Sequence, residues 1–482
     1  MTASPSIDTL RPRLDQLGQG HLLAFADRLA PAERAALLAE IASVDLDAIP
    51  GLVRDYVHAK PAVAAGQTIE PASCYSRASG RFDAKAYFDR GVALVREGKV
   101  AAFTVAGGQG SRLGFDGPKG CYPGGAVTGK PLFACLAEWI LAAQRRWCKP
   151  GITIPWLIMT SPQNHGPTIA FFREHAFFGL REQDVRFFPQ GVMPALDLQT
   201  GKMLLSEKHQ LALAPDGHGG SIKALKVSGA LDELRRRGVE HLSYTQIDNP
   251  LVRVIDPLFI GLHAFAPDSS GEMSSKMVPK AHAGEKVGVL CRVNGQTAVI
   301  EYSDMPAELA SRTDSSGHLV FNAGSIAIHM LSVEFLERLN APGSGVAMPY
   351  HRAEKKIPCV DLATGQRVDP ASPNAVKLET FVFDALPLAR ASIVLETDRV
   401  EEFAPIKNAT GADSVESCRA IQTQRACRWL ERAGVKIPFK ADTSPNCVVE
   451  LSPLTAMYAD DLKTLPAGTL PFAISDGARL AL

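Results

Sequence analysis

Between Val100 and Gly120 the chain reads VAAFTVAGGQGSRLGFDGPKG, an apolar run passing into Gly107, Gly108, Gly110 and Gly114, with Arg112 and Lys119 alongside. Glycines this close let the backbone turn sharply and bring its N–H groups together, and a side chain there would hold an anionic ligand away. With two cations beside those donors, the stretch predicts a cradle for a triphosphate. Gly108, Gly110 and Gly114 give G-x-G-x-x-x-G, one residue longer than the dinucleotide fingerprint. Gly124 to Lys130 matches the P-loop spacing, but Pro131 follows and has no hydroxyl for magnesium. That second match is read as chance.

Asp248 ends the apolar run HLSYTQID, where a carboxylate at the end of a strand can hold magnesium together with phosphate oxygens. A turn or capping aspartate is the alternative at that position. Lys407 lies in a poorly charged loop, and Lys377 stands between Val376 and Leu378 in an expected strand. No Ser/His/Asp or Cys/His arrangement is evident.

The string GGQGSRLG followed by PKG resembles the nucleotide-binding signature of the UTP:sugar-1-phosphate uridylyltransferases, closest to the eukaryotic-type UDP-N-acetylglucosamine pyrophosphorylase branch. Further anchors follow in that family's order. They are PQG at Pro189, APDGHGG at Ala214, IDNPLV at Ile247, IEYSD at Ile300, FNAG at Phe321, KKIPCVD at Lys355, VKLETFVFD around Lys377 and FAPIKNATG at Phe403. The resemblance implies attack of a sugar-1-phosphate on the α-phosphorus of UTP, giving a UDP-sugar and pyrophosphate, with Mg2+ as cofactor. It assigns UTP to Val105, Ala106, Gly107, Gly108, Lys119, Gln190, Gly217, Asp248 and Lys377. It assigns the sugar to His218, Glu301, Tyr302, Asn322 and Lys407, the metal to Asp248, and catalysis to Arg112, Lys119 and Lys407.

One departure bears on the sugar. The N-acetylglucosamine branch usually carries asparagine where this chain has His218, and glucose-specific relatives tend to have Gly-His-Gly there. N-acetylglucosamine-1-phosphate is the expected acceptor, with glucose-1-phosphate or a broader sugar range as the alternative. A guanylyltransferase reading is disfavoured by the missing E-K-P type motif. A silent sugar-nucleotide sensor is disfavoured because Arg112, Lys119, Asp248 and Lys407 are all retained.

The elements that must position these residues follow from the rest of the chain. Its 482 residues are 46% hydrophobic and 21% charged with zero net charge, which allows a large core and gives no global field for nucleic acid or an anionic membrane. Strand-like runs VAAFTVAG, ITIPWLIMTS, VRFFPQG and HLSYTQIDN alternate with helical stretches. The pattern predicts an α/β fold, a Rossmann-like mostly parallel sheet flanked by helices, with ligands at the carboxyl ends of the strands.

Leu22, Phe25 and Leu29, then Leu37, Leu38 and Ile41, predict packing stripes on N-terminal helices, the second opened by Pro31. Val287 to Ile328 reads as a hairpin or mixed-sheet addition that walls one side of the site. Expected boundaries are a helical N-terminal segment over 1–97, a central nucleotide-sugar transferase domain over 98–386 and a small C-terminal domain over 387–482. No attached repeat domain is expected. Nine scattered cysteines, an N-terminus without a signal-peptide core and no window of ~20 apolar residues predict a cytoplasmic protein with free thiols.

Overall fold

The computed structural model describes residues 5–59, 66–341 and 348–482. Eight strands form the spine of its largest sheet: β1 (Cys74–Tyr75), β2 (Val100–Val105), β3 (Trp156–Thr160), β4 (Val185–Pro189), β5 (His241–Gln246), β6 (Met273–Pro279), β7 (Ala323–Ser332) and β8 (Val394–Glu396). Their order is β1-β8-β6-β7-β5-β2-β3-β4. β7 runs antiparallel to β5 and β6, and every other neighbouring pair on this path is parallel. The α/β, mostly parallel expectation holds.

The parallel strands are apolar on both faces because both are covered. Helices α1 (Ala84–Arg96), α2 (Leu132–Trp147) and α3 (Pro257–Phe265) contribute to one core with Val100, Ala102, Trp156 and Ile158. Phe103 stacks on Phe188 and meets Tyr244 edge-on at centroid distances of 6.0 and 5.5 Å. The threonines buried among these strands satisfy one another. Thr104 Oγ1 lies 3.2 Å from Thr245 Oγ1 and accepts from Trp156 Nε1 at 2.9 Å.

Two details differ from the sequence reading. Val289–Val293 and Gln296–Ile300 do form a hairpin, turning at Asn294 and Gly295, both at positive φ. The next strand, however, is β7 of the central sheet itself, not part of an added wall. In addition, Leu22 and Phe25 do not share one α-helix. Gly20–Leu23 and Ala26–Arg28 are separate 3-10 turns, and the glycines at 18 and 20, the first at φ 68°, disfavour an α-helix starting before them. Both side chains are still buried. Pro31 opens the helix Pro31–Ser43 as expected.

By contact the chain divides into two compact units. The first is Met1–Gly66 with Gln190–Ser221 and Ala347–Asp384, and the second is the remainder. The N-terminal helices thus share a core with Leu196, Leu211, Val376 and Leu378, residues distant in sequence. The breaks between the two units include Gly66/Gln67, Pro189/Gln190, Ser221/Ile222 and Asp384/Ala385. Within the second unit, Trp429, Leu430, Val449 and Leu462 form a satellite core near the C-terminus.

One ion cluster lies deep in the second unit. Lys276 of β6 is fully buried, its Nζ 2.7 Å from Asp256 Oδ2 and 2.6 Å from Glu402 Oε1. Asp256 also caps α3 by accepting the Leu258 N–H. Burial pushes the Asp256 carboxyl up, but Lys276, Arg77 and Arg253 outweigh it and hold the group well below the usual carboxylate range. Removing the cation would leave two carboxylates without their partner. Lys276→Met is expected to cost about 3–5 kcal/mol, read as a lower midpoint in urea unfolding; an unchanged midpoint would show that the cluster holds nothing together.

Candidate active site

β2 and β5 are adjacent, parallel and in register, Val105 opposite Gln246, so the loops that leave them start side by side. The β2 loop is tied down by its own backbone. Gly110 N–H donates to Gly117 O at 2.9 Å, Phe115 N–H to Gly110 O at 3.1 Å, and Lys119 N–H to Gly108 O at 3.0 Å. Buried Asn164 fixes its base, with Nδ2 3.0 Å from Ala106 O and 3.3 Å from Gly108 O.

The glycines have different reasons. A Cβ on Gly110 would lie 2.7 Å from the Phe115 ring, and Gly114 closes the 3-10 turn Ser111–Leu113 at φ 68°. At Gly108, exposed and with nothing nearer a Cβ than Lys119 Cδ at 4.0 Å, the space is open for a ligand. Val105 is half-buried and Ala106 fully buried, so any contact they make is through backbone.

Lys119 Nζ points to Asp248 Oδ2 at 3.4 Å, and both side chains are mostly shielded from solvent. Arg112 is exposed and forms no ion pair with a described residue. Behind Asp248, the Ile406 N–H donates to its backbone carbonyl at 2.9 Å, which brings the 403–407 segment alongside. Lys407 Nζ is half-exposed, 3.3 Å from Asp413 Oδ2 and 5.5 Å from the Phe403 ring centre. Lys130 of the P-loop-like match is committed elsewhere, to Glu138 at 2.6 Å and Glu450 at 3.1 Å, which accords with a chance spacing.

Three expected sugar residues also lie in this unit. Glu301 closes the hairpin, its carbonyl accepting from Asp304 and Met305 N–H. Tyr302 is half-exposed. Asn322 precedes β7 and holds the Lys280 and Gly324 N–H groups through its carbonyl, leaving its carboxamide unpartnered among the described residues.

The first unit holds Gln190, Gly217, His218 and Lys377. Gly217 sits at φ 85° pressed against Thr380, where a side chain has no room. Gly219 N–H donates to Thr380 O at 2.8 Å, and Thr380 N–H returns to Asp216 O at 2.8 Å. His218 Nδ1 accepts the Val382 N–H at 3.1 Å, so the ring proton is on Nε2. Its ring stacks on Phe381 at 5.1 Å, and His351 stacks on the same phenylalanine at 4.1 Å while bonded to Asp384 at 2.8 Å. Burial, with His351 adding to it, pushes the His218 pKa down to about 4. Lys377 emerges between the buried Val376 and Leu378 and pairs with Glu379 Oε1 at 2.5 Å.

A family model described as UTP–glucose-1-phosphate uridylyltransferase matches residues 85–435. The chain is 37% identical to UDP-N-acetylglucosamine diphosphorylase 2 of Arabidopsis thaliana, covering 97% of this chain and 93% of that one. It is 40% identical to the UDP-N-acetylglucosamine pyrophosphorylase of Saccharomyces cerevisiae, over 72% and 73% of the two chains. The crystal structure of the Trypanosoma brucei uridine diphosphate N-acetylglucosamine pyrophosphorylase matches with a TM-score of 0.80 and 27% identity, covering 96% of this chain and 95% of that one.

The chain belongs to the UTP–glucose-1-phosphate uridylyltransferase family.

Among the described residues of this uridylyltransferase-family chain, no group of three or more His, Cys, Asp or Glu is placed to hold a metal. Asp248 offers a single carboxylate, and magnesium is content with one or two plus phosphate oxygens and water. The donor set therefore fits an ion that arrives with a triphosphate. Two clefts, about 370 Å³ beside Arg145 and Thr464 and about 300 Å³ beside Arg235 and Glu272, contain none of the candidate residues. No described helix is long and apolar enough to cross a membrane.

Sequence reasoning missed Asn164, Asn249, Phe381 and His351. The signal for Phe381 lay within the quoted VKLETFVFD run, whereas nothing in its neighbours marks Asn164 as the loop's anchor. The His218 environment gives a pH prediction. Its folded pKa lies below the unfolded value of about 6.5, so its contribution is fully present above that pH and is lost as pH falls towards about 4. The thermal midpoint should drop between pH 7 and pH 4.5 by less in His218→Asn than in the parent. Equal drops would mean that the imidazole is not held neutral by its surroundings.

Proposed function

We propose that the protein transfers the uridylyl group of UTP to N-acetylglucosamine-1-phosphate, releasing UDP-N-acetylglucosamine and pyrophosphate. The observation that carries this reading is Lys119 beside Asp248, brought together by loops from adjacent in-register parallel strands and flanked by the open backbone at Gly108. The names of the relatives support the sugar.

An oxygen of the sugar phosphate attacks the α-phosphorus, the new P–O bond forms in line, and the bond to the β-phosphoryl oxygen breaks as pyrophosphate departs. The nucleophile is ionised at neutral pH, so the residues need only align it and offset charge. In this reading Arg112 and Lys119 bind the triphosphate, Lys407 leaves its exposed Asp413 partner for the sugar phosphate, and backbone from Val105 to Gly108 lies against the nucleotide. Asp248 would hold Mg2+, which would supply positive charge to offset the charge that develops on the phosphates.

In the first unit, Gln190 and Gly217 are assigned to uracil and Lys377 to UTP, as in the family. His218 is assigned a sugar contact as in the family, and in the second unit Glu301, Tyr302 and Asn322 are each assigned one as well. The neutral His218 has an Nε2–H to donate to a hydroxyl or to the 2-position substituent. A cytoplasmic location is the reading that fits nine free thiols.

A panel of sugar-1-phosphates with UTP and magnesium, scored by pyrophosphate release, tests the reaction; release with none of them would overturn it. Lys119→Ala should lower kcat/KM by about 100-fold or more with the fold intact. Near-parental turnover would remove the loop from the chemistry. His218→Asn should change the ratio of N-acetylglucosamine-1-phosphate to glucose-1-phosphate use, and an unchanged ratio would show that the sugar is read elsewhere.

A further inference from the structure

Asn249, next to Asp248, is 5% exposed, so it is out of reach of a ligand, yet every polar atom of its side chain is engaged. Nδ2 donates to Glu402 O at 2.7 Å, while Oδ1 accepts from Leu251 N–H at 3.2 Å and from Ala404 N–H at 3.1 Å. Two of these three bonds leave the β5 loop for the segment that carries Lys407. The Ile406 N–H adds a parallel bond to the Asp248 carbonyl. The far side of that segment is fixed as well. The Glu402 carboxylate meets Lys276 at 2.6 Å, Thr397 Oγ1 at 2.9 Å and the Arg253 N–H at 3.2 Å.

The carboxamide is the side chain this position needs. The Glu402 carbonyl requires a donor, and the Leu251 and Ala404 amides require an acceptor, which only an amide supplies at this length. Only Pro405 and Ile406 separate Ala404 from Lys407, so a shift at the Asn249 bonds is passed along a short, buried stretch to the exposed lysine.

We propose that Asn249 is a positioning residue, which sets the distance between the Asp248 carboxylate and the Lys407 ammonium so that both phosphates are held in line. This rests on the assignment of Asp248 and Lys407 given above. Misplacement of reacting groups by about 1 Å can cost about 100-fold, so a side chain that touches no substrate can still govern kcat.

The test is a double-mutant cycle on the full chain, with UTP, N-acetylglucosamine-1-phosphate and magnesium. Asn249→Asp keeps the two accepted bonds but sets an oxygen against the Glu402 carbonyl. It should lower kcat by about 10- to 100-fold, with KM for UTP little changed, since uracil recognition is assigned to other residues. In a Lys407→Ala background the same substitution should cost less than about threefold, the non-additivity of residues that act through each other. If Asn249→Asp does not fold, Asn249→Ser, which removes the Glu402 bond without a charge, is read in the same cycle.

A kcat per folded molecule equal to the parent's would overturn the proposal. So would a cost that is the same in both backgrounds, since a merely structural role gives additive losses. Parental activity in Lys407→Ala would instead overturn the role assigned to Lys407, and the positioning role with it, which separates the two failures.

Discussion

A lysine ammonium buried between two carboxylates is the constraint around which the functional end of the second unit is built. Lys276 cannot move from Asp256 and Glu402 without leaving charge uncompensated in a low-dielectric interior. Asp256 starts α3, Glu402 starts the segment leading to Lys407, and Lys276 belongs to the central sheet. Three elements of the chain, two of them 20 positions apart and the third 126 positions beyond, therefore share one anchor. An ion cluster of this kind is weak as a net stabiliser relative to apolar packing, but it is strict about geometry. Strict geometry is what a phosphate-handling site requires.

From that anchor the chemistry-bearing residues are reached in short steps. Adjacent parallel strands in register bring the glycine loop and Asp248 to the same edge, and Lys119 closes on Asp248. A cation and an anion paired before any ligand arrives keep the site nearly neutral. Lys407 follows the same logic with Asp413, at a more exposed position where the existing pair is weak. Neither pair requires a general base, which agrees with a nucleophile that is ionised beforehand.

The first unit shows a different device. His218 is held neutral and in one tautomer by an N–H bond to Nδ1 and by aromatic stacking, so its free nitrogen is a fixed donor and not a charge. Asparagine, usual at this place in the N-acetylglucosamine branch, is also neutral and able to donate. The two residue types thus offer the same hydrogen-bond polarity with different reach.

The sequence alone carried the fold class and the kind of reaction. Strand-to-glycine transitions, the IDN strand end and the ordered motifs follow from local rules, because backbone freedom and hydrophobic period are properties of neighbouring residues. Tertiary structure decided what depends on residues far apart. It placed β7 inside the central sheet, joined the N-terminal helices to chain from 190 onward, and turned Gly110 from a ligand-facing glycine into one pressed against Phe115. It also gave Asn164 and Asn249 their meaning, since a buried carboxamide is defined by the backbone groups it meets, and those lie 56 to 58 and 153 to 155 positions away. A side chain's type sets which bonds it is able to make; only the folded chain sets which of them it does make.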